Sequence, residues 1–294
     1  MTIFKRDMQI VGDKLGKDVA EYLGVEYHTI NHRIFPDGEI NFKIPLSELE
    51  KEIVLISRKR SDENVNEYLI RLHFMVRTLH DAKHEVSLVM PYFVYARQDE
   101  VFRKGEPFSS QYVADLFDPY ISRFFTITAH THRRDIIQPL FKKAKAKNIS
   151  GIPALAEELP EIKDAFVLGP DTESIVWSKE MAKILGLDNF GAFKKYRDRE
   201  TGEITVTAED FDFKGRDLIV VDDMVSTGGT IERAVRYAKE QGAKKLYLTF
   251  VHPVFAKEAL KRLQALQPVK IISTNTLESS VSKANVFKLI AKHL

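Results

Sequence analysis

The chain has no cysteine. That excludes a disulfide framework, a thiol nucleophile and any zinc or iron–sulfur centre built on thiolates, so a metal must sit on His, Asp, Glu or substrate oxygens. No apolar run approaches the roughly 18 residues of a spanning helix, and the opening MTIFKRDMQIVGDKLG alternates charge with apolar residues too soon to hold a signal-peptide core. A cytoplasmic protein without a membrane partner is the expectation. Charge of one sign is lacking too: 44 basic against 42 acidic residues leave a net +2. Such a balance gives no basis for coating a polyanion, and nucleic acid is not an expected partner. Low-complexity segments and visible repeats are also absent.

What is present is a length of 294 residues with 44% hydrophobic content, enough for two ordinary domains each with its own core. Short β-branched runs, IVLI (53–56), VSLVM (86–90), FFTIT (124–128), FVLG (166–169), LIVVDD (218–223), LYLTFV (246–251) and VKII (269–272), alternate with amphipathic stretches. That alternation predicts parallel α/β layers. The clearest unit starts at Leu218: a strand ending in Asp222 and Asp223, a glycine loop, and a helix with Ile231, Ala234, Val235 and Ala238 on one face and Gly242 past its end. AKAKNISGIP (144–153) reads as a link between halves.

In VVDDMVSTGGT (220–230) two carboxylates stand beside a loop suited to an anion. Ser226, Thr227, Gly228, Gly229 and Thr230 supply hydroxyls and inward-turning N–H groups at a helix start, where the dipole favours a phosphate. The Walker A ending is missing, and so is the GxGxxG fingerprint. A sugar phosphate reconciles the two features: the loop takes its phosphate while Asp222 and Asp223 accept hydrogen bonds from vicinal ribose hydroxyls. An ordinary strand-to-helix turn with an Asp cap is the alternative.

VVDDMVSTGGT resembles the phosphoribosyl-pyrophosphate loop shared by type I phosphoribosyltransferases and the ribose-phosphate pyrophosphokinase family. RIFPDGEI (33–40), PYFVYARQD (91–99), HPV (252–254) and TNT (274–276) extend the resemblance to that kinase family along nearly the whole chain, which a transferase would not need. The resemblance implies an α/β fold of two tandem phosphoribosyltransferase-like domains, residues 1–145 on the ATP side and 146–294 on the ribose 5-phosphate side. Each is a mostly parallel sheet flanked by helices, and the last helix returns to the first domain. The implied activity makes phosphoribosyl pyrophosphate and AMP from Mg²⁺-ATP and ribose 5-phosphate. It also implies a homodimer or higher homo-oligomer, with a site between the domains to which a neighbouring subunit contributes.

Residue by residue, the resemblance adds roles to segments that composition alone leaves bland. RIFPDGEINFKI reads as a hairpin with Ile40, Phe42 and Ile44 alternating inward; the family implies ATP binding by Phe35, Asp37 and Glu39. Arg97 and Gln98 lie in a basic loop and match residues that hold ATP, while Glu100 and Val101 stand where many relatives carry lysines. His130 and Asp171, otherwise a capping or core histidine and a helix N-cap, match positions that meet Mg²⁺ or the triphosphate; His132 is left without a role. Thr172 and Glu173 depart from the family pattern after that aspartate and are the motive for an alternative acceptor such as ADP-ribose. FKKYRDRETGEI (193–204) reads as a solvated hairpin, and its Lys195 and Arg197 match the family's catalytic Lys-x-Arg pair. Their retention, with that of His130 and the loop, argues against a non-catalytic regulatory subunit.

Overall fold

Each apolar run named above becomes a strand in the computed structural model, which describes residues 8–130, 137–197, 204–207, 211–256 and 258–294. The chain forms two compact units, Met1–Ser150 with Val286–Leu294, and Gly151–Asn285. The first runs β1 (Met8–Gly12), α1 (Lys14–Leu23), β2 (Tyr27–Thr29), a hairpin of β3 (Asn31–Ile34) and β4 (Ile40–Lys43), β5 (Glu52–Ile56), α2 (Val65–Asp81), β6 (Glu85–Val89), α3 (Ser109–Phe117), β7 (Arg123–Ile127) and β8 (Lys145–Ile149). AKAKNISGIP holds edge strand β8, and the passage from the first unit to the second, Ser150 to Gly151, falls inside it. The register Phe125↔Lys147 and Ile127↔Ile149 holds β8 to β7, and Asn148 Oδ1 accepts a hydrogen bond from the backbone of Ala129 at 2.9 Å.

The second unit runs α4 (Ile152–Glu157), β9 (Ala165–Gly169), α5 (Ile175–Leu185), β10 (Phe190–Ala192), a hairpin of β11 (Lys194–Arg197) and β12 (Ile204–Thr207), β13 (Asp217–Met224), α6 (Gly229–Glu240), β14 (Leu246–His252), α7 (Ala259–Gln264), β15 (Lys270–Thr274) and β16 (Ser282–Ala284). The final helix, α8 (Phe287–Ala291), belongs to the first unit and meets α1 through the Tyr22 and Phe287 rings, 5.5 Å apart.

Sheet order is β2-β1-β5-β6-β7-β8 in one unit and β10-β9-β13-β14-β15-β16 in the other, with every pairing parallel. Counted within each unit, both are 2-1-3-4-5-6, with a hairpin inserted between the second and third strands. The sequence shows no repeat, yet the topology is duplicated. Central strands such as β14 are buried along their whole length, as both faces of a parallel sheet are covered. Leu72, Met75, Val76 and Leu79 of α2 fill the first core with Leu55, Leu88 and Phe124. Ile231, Ala234, Val235 and Ala238 of α6, the face expected from their spacing, fill the second with Val220, Leu248 and Phe250. Each of the leucine, isoleucine, valine, methionine and phenylalanine side chains among them contributes about 1.5–3 kcal/mol on burial.

Candidate functional site

Strand order reverses between β9 and β13 in the second unit, and ligands of open α/β sheets bind beyond the carboxyl ends of strands at such a reversal. Here β9 leads into Asp171, while β13 carries Asp222 and Asp223. A Cβ on Gly169 would come within 2.7 Å of Ser174 Cβ, so only glycine lets Ser174 settle against the strand. Ser174 is fully buried, with its Oγ 3.0 Å from Asp171 Oδ1 and 2.9 Å from Asp222 Oδ1. One hydroxyl proton cannot be donated to both carboxylates. Burial first, then the charges of Asp223 and Asp171, push the Asp222 carboxyl well above its ordinary range, against the opposing hydrogen bond from Ser174. A carboxyl held this way is relieved by donors or a cation brought from outside.

Asp171 occupies the N-cap position of the Thr172–Ser174 turn, where its carbonyl accepts from Ser174 N–H at 3.0 Å, but its side chain makes no capping bond to that turn's backbone. The loop after β13 passes Ser226 and Thr227 to Gly228, which is left-handed at φ 76° and serves as N-cap of α6 without any side-chain cap. The alternative of an Asp-capped turn thus fails, and the first-turn N–H groups are arranged as in helix-terminal anion sites. The first-turn acid, Glu232, is bonded to Arg236 at 2.9 Å and to Arg262 at 3.3 Å, and the Arg236 hydrogen bond leads in holding it below the usual carboxylate range. Lys195 and Arg197 stand two residues apart on β11, paired with Val206 and Ile204 of β12.

In the first unit the β3–β4 turn closes through Phe35 N–H to the Glu39 carbonyl (2.8 Å) and Gly38 N–H to the Phe35 carbonyl (2.9 Å). Phe35 is half-buried under Arg33, whose guanidinium lies 4.7 Å from the ring centre, while Asp37 and Glu39 are exposed. Arg97 and Gln98 line a cleft of about 550 Å³ with Val65, Tyr92, Val94, Tyr95 and Phe102. Tyr95 adopts φ 61°, unusual for a side chain of that size, and its hydroxyl donates to Asn66 Oδ1 at 2.6 Å. Aromatic walls with a guanidinium suit a base and its phosphates. His130 is half-buried just beyond β7; His132 lies outside the described residues.

Residues 8–119 match the family model described as the N-terminal domain of ribose phosphate pyrophosphokinase, and residues 141–282 match the phosphoribosyl transferase domain. Ribose-phosphate pyrophosphokinase 2 of Archaeoglobus fulgidus is 34% identical over 280 residues, 95% of this chain and 96% of that protein. The chain belongs to the ribose-phosphate pyrophosphokinase family. The enzyme of that name from Sulfolobus acidocaldarius is 31% identical over 87% of each chain. The crystal structure of phosphoribosylpyrophosphate synthetase from Mycobacterium smegmatis superposes with a TM-score of 0.82 at 25% identity, covering 98% of this chain and 97% of that one.

As a member of the ribose-phosphate pyrophosphokinase family, the chain brings Asp171, Asp222 and Asp223 to one sheet edge of the second unit and Arg97 and Gln98 to one cleft of the first. Three participants escaped the sequence reading. Ser174 links carboxylates 3 and 48 residues away, and nothing in GPDTES marks its hydroxyl for that role. Tyr95 and Phe102 line the cleft; the aromatics of PYFVYARQDEVF were the available signal, but they look like core.

Proposed function

We propose that the protein is a ribose-phosphate diphosphokinase: it transfers the β,γ-pyrophosphoryl group of ATP to the 1-hydroxyl of ribose 5-phosphate, giving phosphoribosyl pyrophosphate and AMP for nucleotide biosynthesis. The observation that carries this reading is the second unit's strand end, where Asp222, its carboxyl pushed well above its ordinary range by burial and by the charges of Asp223 and Asp171, stands just ahead of a helix start without a side-chain cap. Ser226, Thr227, Gly228, Gly229 and Thr230 bind the 5-phosphate, and Asp222 and Asp223 accept the ribose hydroxyls. The latter contacts add to the two hydrogen bonds that Asp222 Oδ1 accepts within the protein, from Ser174 Oγ at 2.9 Å and the Asp223 N–H at 3.1 Å.

In the first unit, Arg97 and Gln98 hold ATP in their cleft, and Phe35, Asp37 and Glu39 contact the adenine. The pairing of that hairpin with another subunit's nucleotide, in a homodimer or larger homo-oligomer, is part of the proposal. Lys195 and Arg197 close over the charge that develops as the 1-hydroxyl attacks the β-phosphorus and AMP leaves. Positioning and charge neutralisation supply most of the acceleration in such transfers.

Mg²⁺ fits the donors present. Among the described residues no three His, Asp or Glu side chains form a cage for a metal, and Mg²⁺ ordinarily takes one or two carboxylates together with substrate phosphates and water. Asp171 of the second unit and His130 of the first are each proposed as a metal contact, on the family resemblance, and a carboxylate oxygen such as Asp171 offers suits Mg²⁺. When bound, the ion neutralises and orients the triphosphate. Mass spectrometry of products from ATP, Mg²⁺ and a panel of ribose 5-phosphate, ADP-ribose and ribose 1-phosphate tests the proposal. Phosphoribosyl pyrophosphate and AMP from ribose 5-phosphate alone is the expected result. Turnover of ADP-ribose instead would transfer the assignment to a modified acceptor, and no product at all would indicate a non-catalytic subunit.

A further inference from the structure

The HPV and TNT motifs end β14 and β15, the two strands that follow β13 across the sheet. Their polar side chains turn inward: His252, Thr274 and Thr276 are all buried. Thr276 Oγ1 lies 2.8 Å from His252 Nδ1 and donates to the Val251 carbonyl at 3.0 Å, which also accepts from Thr274 Oγ1 at 2.6 Å. Buried polar groups are costly unless they are paired, and here the pairing ties the carboxyl end of β14 to that of β15.

From this anchor the backbone runs back to the phosphate loop. Val225 N–H donates to the His252 carbonyl at 3.1 Å, Phe255 N–H to the Val225 carbonyl at 2.8 Å, and Ala256 N–H to the Ser226 carbonyl at 2.9 Å. Phe255 holds φ at 38°. A left-handed non-glycine costs roughly 1–2 kcal/mol, and such strain persists where its surroundings over-determine it. The bonds on either side of Phe255 are those that grip Val225 and Ser226. Behind Gly228 lies the Leu263 side chain, whose Cδ2 an added Cβ would meet in ordinary van der Waals contact at 3.4 Å.

We infer that His252 and Thr276 are positioning residues for the phosphate loop: their imidazole–hydroxyl contact fixes the end of β14, and segment 252–256 transmits that fixity to Val225 and Ser226. This rests on reading 226–230 as the cradle of the acceptor's phosphate, where a misplacement of about 1 Å lowers the rate substantially. Both side chains are buried, and neither residue lies in the loop itself.

Four variants of the full chain test it. Thr276→Val removes the hydroxyl at nearly constant volume and Thr276→Ser keeps it; His252→Asn offers an amide group near the position of Nδ1, and His252→Gln carries it a bond further out. Amide hydrogen exchange is followed in peptides covering 225–230 and, as an internal control, 246–251, together with KM for each substrate. Thr276→Val and His252→Gln are expected to speed exchange in 225–230 roughly three- to tenfold relative to the control. They are also expected to raise KM for ribose 5-phosphate with KM for ATP unchanged, while Thr276→Ser and His252→Asn behave as wild type. Unchanged exchange in 225–230, or equal acceleration of loop and control peptides, overturns the inference. A wild-type protein that fails to take up ribose 5-phosphate sinks the cradle reading alone, because the exchange comparison still decides whether the contact positions the loop.

Discussion

At the reversal of strand order in the first unit, Asp13 accepts hydrogen bonds from the backbone of Leu15 (2.8 Å) and Gly16 (3.4 Å) and from Arg58 through its backbone N (2.9 Å) and Nε (3.1 Å). Beside it Arg71 pairs with Glu63 at 2.6 and 2.8 Å, both buried, and Tyr68 donates to the Ser57 carbonyl at 2.7 Å. Burial alone would raise the Glu63 carboxyl, but the Arg71 hydrogen bonds and charge outweigh it and hold the group below its ordinary range. At the same place in the second unit, Asp171 and Asp222 share one serine hydroxyl, and Asp222 is pushed the opposite way. Two copies of one topology thus treat corresponding strand ends differently: the first unit pairs Asp13 and Glu63 with arginines, and the second sets Asp222 close to two other carboxylates.

The largest expected effect lies on the satisfied side. Arg71→Met strands Glu63 as a buried unpaired carboxylate and should cost about 3–5 kcal/mol, visible as an early thermal transition; an unchanged transition would break the comparison at its first term. Next comes Asp222→Asn, which should weaken ribose 5-phosphate binding by about 1.5–3 kcal/mol while raising the melting temperature of the ligand-free protein at neutral pH. The sign follows from linkage. The folded pKa of Asp222 lies above its unfolded value, so its stabilising contribution is full below the unfolded pKa and is lost as pH rises through the folded one. Asparagine, which never ionises, keeps that contribution at neutral pH. Calorimetry with and without ribose 5-phosphate checks both halves, and a variant that both melts lower and binds normally would contradict them.

The two hairpins extend the contrast. Lys195→Ala and Arg197→Ala should each lower kcat and kcat/KM together by more than about tenfold, over ~1.4 kcal/mol of barrier, with both KM values little changed. AMP release at saturating substrates measures this, and smaller losses in both would return β11–β12 to a solvated hairpin. In the first unit, Phe35→Ala should raise KM for ATP selectively, by an amount set by the roughly 1–3 kcal/mol of a base stack. Unfolding without a selective ATP effect would make Phe35 a packing residue. The smallest change is expected from Asp13→Asn, which keeps a capping oxygen and loses the Arg58 ion pair. About 1 kcal/mol of stability should go, with substrate affinities untouched.

Much of the second unit's edge was legible because its signals are local. β13, the acid pair, the glycine turn and the buried face of α6 all lie within residues 217–240, so periodicity and residue type sufficed. The duplication was legible through the family resemblance, which implied two tandem domains of one kind, and not through any repeat in the residues, although traces exist afterwards in Gly12-Asp13 beside Gly169-Pro170-Asp171 and in the Leu23-Gly24 and Leu185-Gly186 helix ends. Two matches of two or three residues, 150 or more apart, do not rise above chance without a sheet to align them. β8 was missed because its lysines alternate with small residues as an edge strand's do, which in sequence looks like a connector.

By itself, then, the sequence determined the apolar strands at 53–56, 86–90, 124–128, 166–169, 218–223, 246–251 and 269–272, the buried face of α6, where a glycine turn suited to an anion stands, and which family motifs recur, since these depend on neighbours along the chain. Only the tertiary structure decided that Ser174 would meet Asp222 from 48 residues away and that His252 would meet Thr276 from 24. It decided as well that Asp13 would find Arg58 and that the Ser174 hydroxyl would stand between Asp171 and Asp222. Such contacts are set by the order and register of strands in a parallel sheet, where the residues that face each other at a strand end are joined by whole crossover helices and carry no mark of one another in the chain.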